Sequence, residues 1–188
     1  MRKIAVFASG TGSNFHAIAK ACEEGVINGQ ISLLVCDQPE AKVVAKAKNM
    51  KIEVFTFLAK EYEDRASYEE DILTQLRGRG IELLVLAGYM RLVGSTLLEA
   101  YPNKIINIHP SLLPAYPGLN SIKRAFGEGE SETGVTVHYV DRGMDTGPMI
   151  VQRTVKIQEG DTLEILEERM HQIEHELYVE VLKELCEE

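Results

Sequence analysis

Apolar residues along this chain gather into short continuous runs, separated by longer segments in which they recur at helical spacing. Residues 4–8, 31–36, 52–55, 83–87 and 105–108 form runs of strand length. The intervening periodicity predicts helices near 14–23, 41–49, 65–77 and 95–100. A strand with one wet face alternates apolar and polar residues, whereas a continuous apolar strand is covered on both faces. The pattern therefore predicts an α/β fold with a mostly parallel central sheet and helices on both faces. Two later runs, 134–140 and 149–157, lie close together and are rich in Val and Thr. They predict an antiparallel pair extending the sheet, joined by a loop that carries Asp141, Gly143, Asp145 and Gly147. From Asp161 to about Leu185 the chain reads as one long amphipathic C-terminal helix. Asp161 or Thr162 serves as its cap, and Leu163, Leu166, Met170, Ile173, Leu177 and Val181 form its apolar stripe. No repeat, low-complexity tract or linker interrupts the pattern, so residues 1–188 read as a single domain.

Composition narrows the function classes. A net charge of -9 argues against general nucleic-acid binding, because phosphate backbones select basic surfaces. It leaves room for a small anionic ligand held by a few backbone N–H groups. The three cysteines, Cys22, Cys36 and Cys186, are widely spaced without a Cys-x-x-Cys pair, which favours a reducing, cytoplasmic setting over a disulfide framework or a zinc knuckle. The apolar run at residues 4–8 is too short for a signal peptide or a membrane span, and glycines follow it at once. Composition is compatible with a homodimer and does not require one.

The first strand runs into Ser9-Gly10-Thr11-Gly12-Ser13-Asn14 and then a helix. Glycines let the backbone turn tightly, and a helix start offers unpaired N–H groups and a positive dipole end, so phosphate binding is chemically sound here. Ser13 and Asn14 add side-chain hydrogen bonds or cap the helix. A dinucleotide fingerprint fails at its third small residue, where this chain has Phe15, although Asp37 near the end of the second strand keeps that alternative open. A Walker loop lacks its lysine. A plain strand-to-helix turn is the bland alternative.

Asn107 and His109 are the most informative residues. Asn is unfavourable in strands, so its place in an isoleucine run needs a reason. Residues two apart on a strand share a face, and Pro110 ends the strand, which sets the pair at the carboxyl edge where open parallel sheets bind ligands. An amide donor beside an imidazole suits a carbonyl whose oxygen gains negative charge during attack. The bland alternative is a core pair satisfying backbone groups. Ser111 has no Gly-x-Ser-x-Gly elbow to make it a nucleophile. Asp141 and Asp145 lie in a Gly- and Pro-marked loop, where turn hydrogen bonds explain most aspartates. Asp145 gains interest because an amine attacking a carbonyl must lose a proton, and a carboxylate near His109 assists.

Two alternatives from other classes remain. His171, Glu174 and His175 match an inverted zinc-hydrolase pattern, but a third metal ligand normally lies further along the chain, where only a short acidic tail remains. A non-catalytic nucleotide-binding module would use the glycine loop and leave Asn107, His109 and Asp145 without a joint purpose.

Taken together, the Ser-Gly-x-Gly-Ser-Asn loop, the Val85-Leu86-Ala87-Gly88-Tyr89-Met90-Arg91 segment, the Asn107-Ile108-His109-Pro110-Ser111-Leu112-Leu113-Pro114 block and the Met144-Asp145-Thr146-Gly147-Pro148 loop resemble the folate-dependent glycinamide ribonucleotide formyltransferases. The resemblance runs from Lys3 to about Tyr178. The His-Pro-Ser-Leu-Leu-Pro block alone also fits two relatives, methionyl-tRNA formyltransferase and formyltetrahydrofolate hydrolase, which carry extra domains. The resemblance implies a Rossmann-like formyltransferase fold, 10-formyltetrahydrofolate as co-substrate, glycinamide ribonucleotide as acceptor, and neither metal nor covalent enzyme intermediate. It assigns catalysis to Asn107, His109 and Asp145, and the substrate phosphate to Gly12, Ser13 and Asn14. It assigns the folate site to Arg65, Met90, Arg91, Leu92 and Val93, with the loop from Asp141 to Asp145 closing over the pterin. Further nucleotide contacts map to His171 and Glu174. Near Asn120 some relatives carry His, which removes one substrate contact here.

Overall fold

Five parallel strands form the centre of the molecule, described over residues 1–188 by a computed structural model. They are β1 (Arg2–Phe7), β2 (Gly29–Cys36), β3 (Val54–Thr56), β4 (Leu83–Leu86) and β5 (Ile105–His109). Two further strands, β6 (Glu132–Tyr139) and β7 (Met149–Lys156), add to the β5 edge in antiparallel fashion, giving the order β3-β2-β1-β4-β5-β6-β7. The predicted mostly parallel sheet and its late antiparallel pair are both present.

The helices divide between the two faces. On one face, α1 (Ser13–Glu23), α2 (Lys42–Asn49), α5 (Ser121–Gly127) and α6 (Leu163–Glu187) pack with Ile4, Val6, Val85 and Ile106 into the larger apolar core. On the other, α3 (Arg65–Gly78) and α4 (Ser95–Ala100) pack with Ala5, Phe7, Leu84 and Ile105. Consecutive residues of β1 and β4 thus enter opposite cores, which is why these strands are apolar throughout.

Tyr178 of α6 is fully buried, and its hydroxyl donates to the carbonyls of Leu86 (2.7 Å) and Ile106 (3.3 Å). A buried hydroxyl needs such partners, and this one pins the long helix to the last residue of β4 and the start of β5. Thr162 caps α6, its Oγ1 accepting from the Ile165 amide at 3.2 Å. Asp161 instead accepts from the Gln158 amide and pairs with Arg169 at 2.7 Å.

Two local expectations change. Neither Ser13 nor Asn14 caps α1: the N-cap is Gly12, with φ of 77° and no side-chain cap bond. Helix α5 escaped the periodicity because its seven residues span barely two turns, directly after a loop of Pro and Gly. No helix is long and apolar enough to cross a membrane.

Candidate active site

β1 lies between β2 on one side and β4 on the other, so the chain reverses its winding direction there. Loops leaving the carboxyl ends of neighbouring strands part at such a point, and ligands bind in the crevice they leave. A cleft of about 720 Å³ opens here, within the usual range for small-molecule sites.

The glycine loop after β1 forms one end. Gly12 adopts a left-handed conformation, and a Cβ on it would meet Val43 Cγ2 at 2.5 Å, so both backbone angle and space demand glycine. Gly12, Ser13 and Asn14 line the cleft, and Asn14 Oδ1 is buried without a hydrogen-bond partner. A buried polar atom left unpaired is costly, so this end of the cleft is built for a polar guest.

Asn107, His109 and Asp145, distant in sequence, converge on the same wall. Asp145 has a side-chain exposure of 10% and sits at φ 56°, a left-handed angle that turns its carboxylate inward. Its Oδ2 accepts from the Gly118 amide at 2.8 Å and lies 3.5 Å from His109 Nδ1. Its Oδ1 is 3.5 Å from Asn107 Nδ2. His109 Nε2 lies 2.9 Å from the Tyr116 carbonyl and 2.9 Å from Ser121 Oγ, whose hydroxyl donates to Gly118 O. This network assigns a hydrogen to Nε2. The opposite nitrogen, Nδ1, then faces the Asp145 carboxylate. His109 thus satisfies a backbone group, as the bland alternative had it, and also presents its other edge to Asp145.

Sequence reasoning missed His138. It is 2% exposed, its Nε2 lies 3.3 Å from Asn107 Nδ2 and 3.8 Å from Asp145 Oδ1, and its Nδ1 lies 2.8 Å from the Tyr139 carbonyl. The signal was present, because a His in Val135-Thr136-Val137-His138 is as anomalous as Asn107 among isoleucines. Gly118, Tyr116 and Ser121, which hold the trio, carry no comparable mark in sequence.

Met90, Arg91, Leu92 and Val93 line the same cleft, Met90 being 66% exposed and Val93 buried. Arg65 stands apart from that lining: it is exposed at the start of α3, with its Cδ within 2.6 Å of where a Cβ on Gly94 would lie. Asp141 lines the cleft, but its carboxylate is engaged within its own loop, accepting from the Gly143 amide (2.9 Å) and Thr146 Oγ1 (2.6 Å). These bonds stabilise the charged carboxylate and hold its pKa below the ordinary carboxylate value, led by the Thr146 contact.

At the far end, His171 and Glu174 of α6 also line the cleft and bond to each other at 2.6 Å. That contact raises the His171 basicity. His175, one turn on, is shifted the other way by burial. Nowhere do three His, Cys, Asp or Glu side chains form a set arranged to hold a metal ion. Asp37, the acid of the dinucleotide alternative, is 2% exposed and already engaged by Ser9 and Arg91, so it is not available to a ribose.

Known proteins share this architecture. Residues 2–182 match the family model described as formyl transferase. The chain is 54% identical to phosphoribosylglycinamide formyltransferase of Bacillus subtilis (strain 168), over 98% of this chain and 95% of that protein. It is 37% identical to the Haemophilus influenzae protein of the same name, over 97% and 86%. Among solved structures, glycinamide ribonucleotide transformylase 1 from Geobacillus kaustophilus superposes with a TM-score of 0.96 at 55% identity, covering 99% of both chains.

Proposed function

Since this chain belongs to the formyl transferase family, we propose that it transfers the formyl group of 10-formyltetrahydrofolate to the amine of 5'-phosphoribosylglycinamide. The products are formylglycinamide ribonucleotide and tetrahydrofolate, a step of purine biosynthesis. The observation that carries this reading is the convergence of Asn107, His109 and Asp145 in the cleft that also holds the glycine loop.

Gly12, Ser13 and Asn14 hold the substrate phosphate, with the α1 N-terminus adding its dipole. His171 and Glu174 meet the nucleotide from the opposite end. Met90, Arg91, Leu92 and Val93 take the pterin side of the folate, and the loop from Asp141 to Asp145 closes over it. Arg65, beside Gly94 at the end of the Met90–Val93 stretch, suits the acidic tail. The cleft fits such a pair of guests in volume and in its mixed lining.

Formyl folate supplies an electrophilic formyl carbon. As the glycinamide amine attacks it, the formyl oxygen gains negative charge; Asn107 Nδ2 donates to it, and so does the protonated His109 ring from its Nδ1 edge, while Nε2 keeps its bond to the Tyr116 carbonyl. Asp145 balances positive charge on the ring and, through water, helps move the amine proton toward the departing nitrogen. The steps need no metal and no covalent link to the protein.

We read residues 1–188 as one catalytic domain, because the cleft draws on loops from β1 through to α6. A cytoplasmic setting suits the three free cysteines, and the partners are two small molecules. Spectrophotometric release of tetrahydrofolate with glycinamide ribonucleotide as acceptor tests the reading. Turnover that requires both substrates supports it, and silence with both present overturns it.

A further inference from the structure

We propose that Asp37 is a positioning residue that ties the phosphate-side loop to the folate-side loop, and that it sets folate affinity through Arg91. Asp37 follows the last residue of β2, does not itself line the cleft, and is 2% exposed. Its Oδ1 accepts from Ser9 Oγ at 2.5 Å, and its Oδ2 accepts from Arg91 Nε at 2.9 Å. Ser9 opens the glycine loop. Its hydroxyl oxygen accepts from the Met90 amide at 2.9 Å, and its own amide donates to the Gly88 carbonyl at 3.1 Å.

A continuous chain of donors thus runs from Met90 N–H through the Ser9 hydroxyl to the Asp37 carboxylate, which Arg91 approaches from the other side. A hydroxyl that donates to a carboxylate becomes a better acceptor, so Asp37 strengthens the bond that fixes the Met90 backbone. The same carboxylate holds Arg91 by Nε alone, and the two terminal guanidinium nitrogens make no hydrogen bond within the protein. They remain free to act at the cleft, from a side chain that one buried charge has aimed. This resolves why a strand end beside the glycine loop carries an acid that no dinucleotide uses. Moving either loop moves the other, so nucleotide and folate affinities become linked, and the linkage is reciprocal.

The proposal rests on the formyl-transfer reading, and the wild-type rate with both substrates is the control that separates the two. Asp37→Asn keeps size and an acceptor for Ser9 but sets an amide donor against Arg91 Nε or removes the charge that holds it. We expect the KM for formyl folate to rise roughly tenfold, the scale of one charged hydrogen bond, with kcat within about twofold. In an Arg91→Ala background the same substitution should add less, because only the route through Ser9 and Met90 remains. A lowered melting temperature with unchanged KM would reduce Asp37 to a structural role and overturn the proposal. So would an undiminished effect in the Arg91→Ala background. Should Asp37→Asn not fold, Ser9→Ala keeps the Asp37–Arg91 ion pair and removes the acceptor for Met90 together with the donor to Asp37 Oδ1. It must raise the folate KM at conserved kcat, and an unchanged KM overturns the proposal.

Discussion

Asn107 and His138 face each other across the antiparallel pairing of β5 with β6, with Asn107 Nδ2 3.3 Å from His138 Nε2. His138 Nδ1 lies 2.8 Å from the Tyr139 carbonyl, so Nδ1 carries the hydrogen and Nε2 is an acceptor. One amide hydrogen of Asn107 therefore goes to His138, which fixes which way the amide points. The second hydrogen, held by Asp145 only at 3.5 Å, is the one free to meet a developing oxyanion. His138→Ala should release that orientation and lower kcat by about 10- to 100-fold, with smaller changes in either KM. Asn107→Ala removes the donor itself and should cost roughly 10²–10³-fold. Steady-state kinetics on the two variants checks the order of the effects, and near-normal turnover by Asn107→Ala contradicts the assignment.

Asp145→Asn preserves shape and an acceptor for the Gly118 amide while removing the charge beside His109. If Asp145 manages the proton between amine and leaving nitrogen, kcat should fall by roughly 10²–10⁴-fold with KM values nearly unchanged. A loss confined to KM would instead make Asp145 a binding residue.

Gly12→Ala tests the phosphate loop. The left-handed angle costs an alanine about 1–2 kcal/mol, and its methyl strikes Val43. Thermal unfolding should shift down by a few degrees and the KM for the nucleotide should rise. Adding Val43→Ala should relieve the clash but not the angle, recovering part of the stability.

The C-terminal helix carries two histidines of opposite sign. The basicity of His171 is raised by Glu174, so the stability it contributes is complete below its unfolded pKa of about 6.5 and is lost as pH rises through the raised folded value. His175 is lowered by burial and its Nε2 is buried without a partner, so its contribution is complete above about 6.5 and is lost as pH falls through the lowered value. Urea unfolding at pH 5 and pH 8 should show His171→Ala hurting more at the acid end and His175→Gln hurting less there than at the alkaline end. Equal effects at both pH values contradict the linkage.

The architecture was legible because the buried strands are apolar on both faces and the helices between them keep a clear period. The edges of β1, β4 and β5 fell within two residues of expectation for the same reason. Helix α5 was not legible, since seven residues after a Pro-Gly loop show no repeat to count. The N-cap of α1 was misjudged because serine and asparagine favour caps generally, whereas here the approach of Val43 makes Gly12 decide the turn. Asn107 and His109 stood out as polar residues on an apolar strand, and Asp145 from the chemistry they needed. Arg65 was named from resemblance, and its place beside Gly94 depends on the packing of α3 against the loop, which no local pattern encodes. The role of Asp37 likewise depends on Arg91, 54 residues away, and only the folded chain joins them.

The central claim is that one cleft brings a folate-borne formyl carbon to the amine of a phosphorylated glycinamide. It is tested most directly by following a carbon-labelled formyl group by mass spectrometry with both substrates present. The account predicts label on the glycinamide amine in step with tetrahydrofolate release, at a rate that collapses in Asn107→Ala. Label that stays on the folate, or appears as free formate while the nucleotide is unchanged, contradicts it.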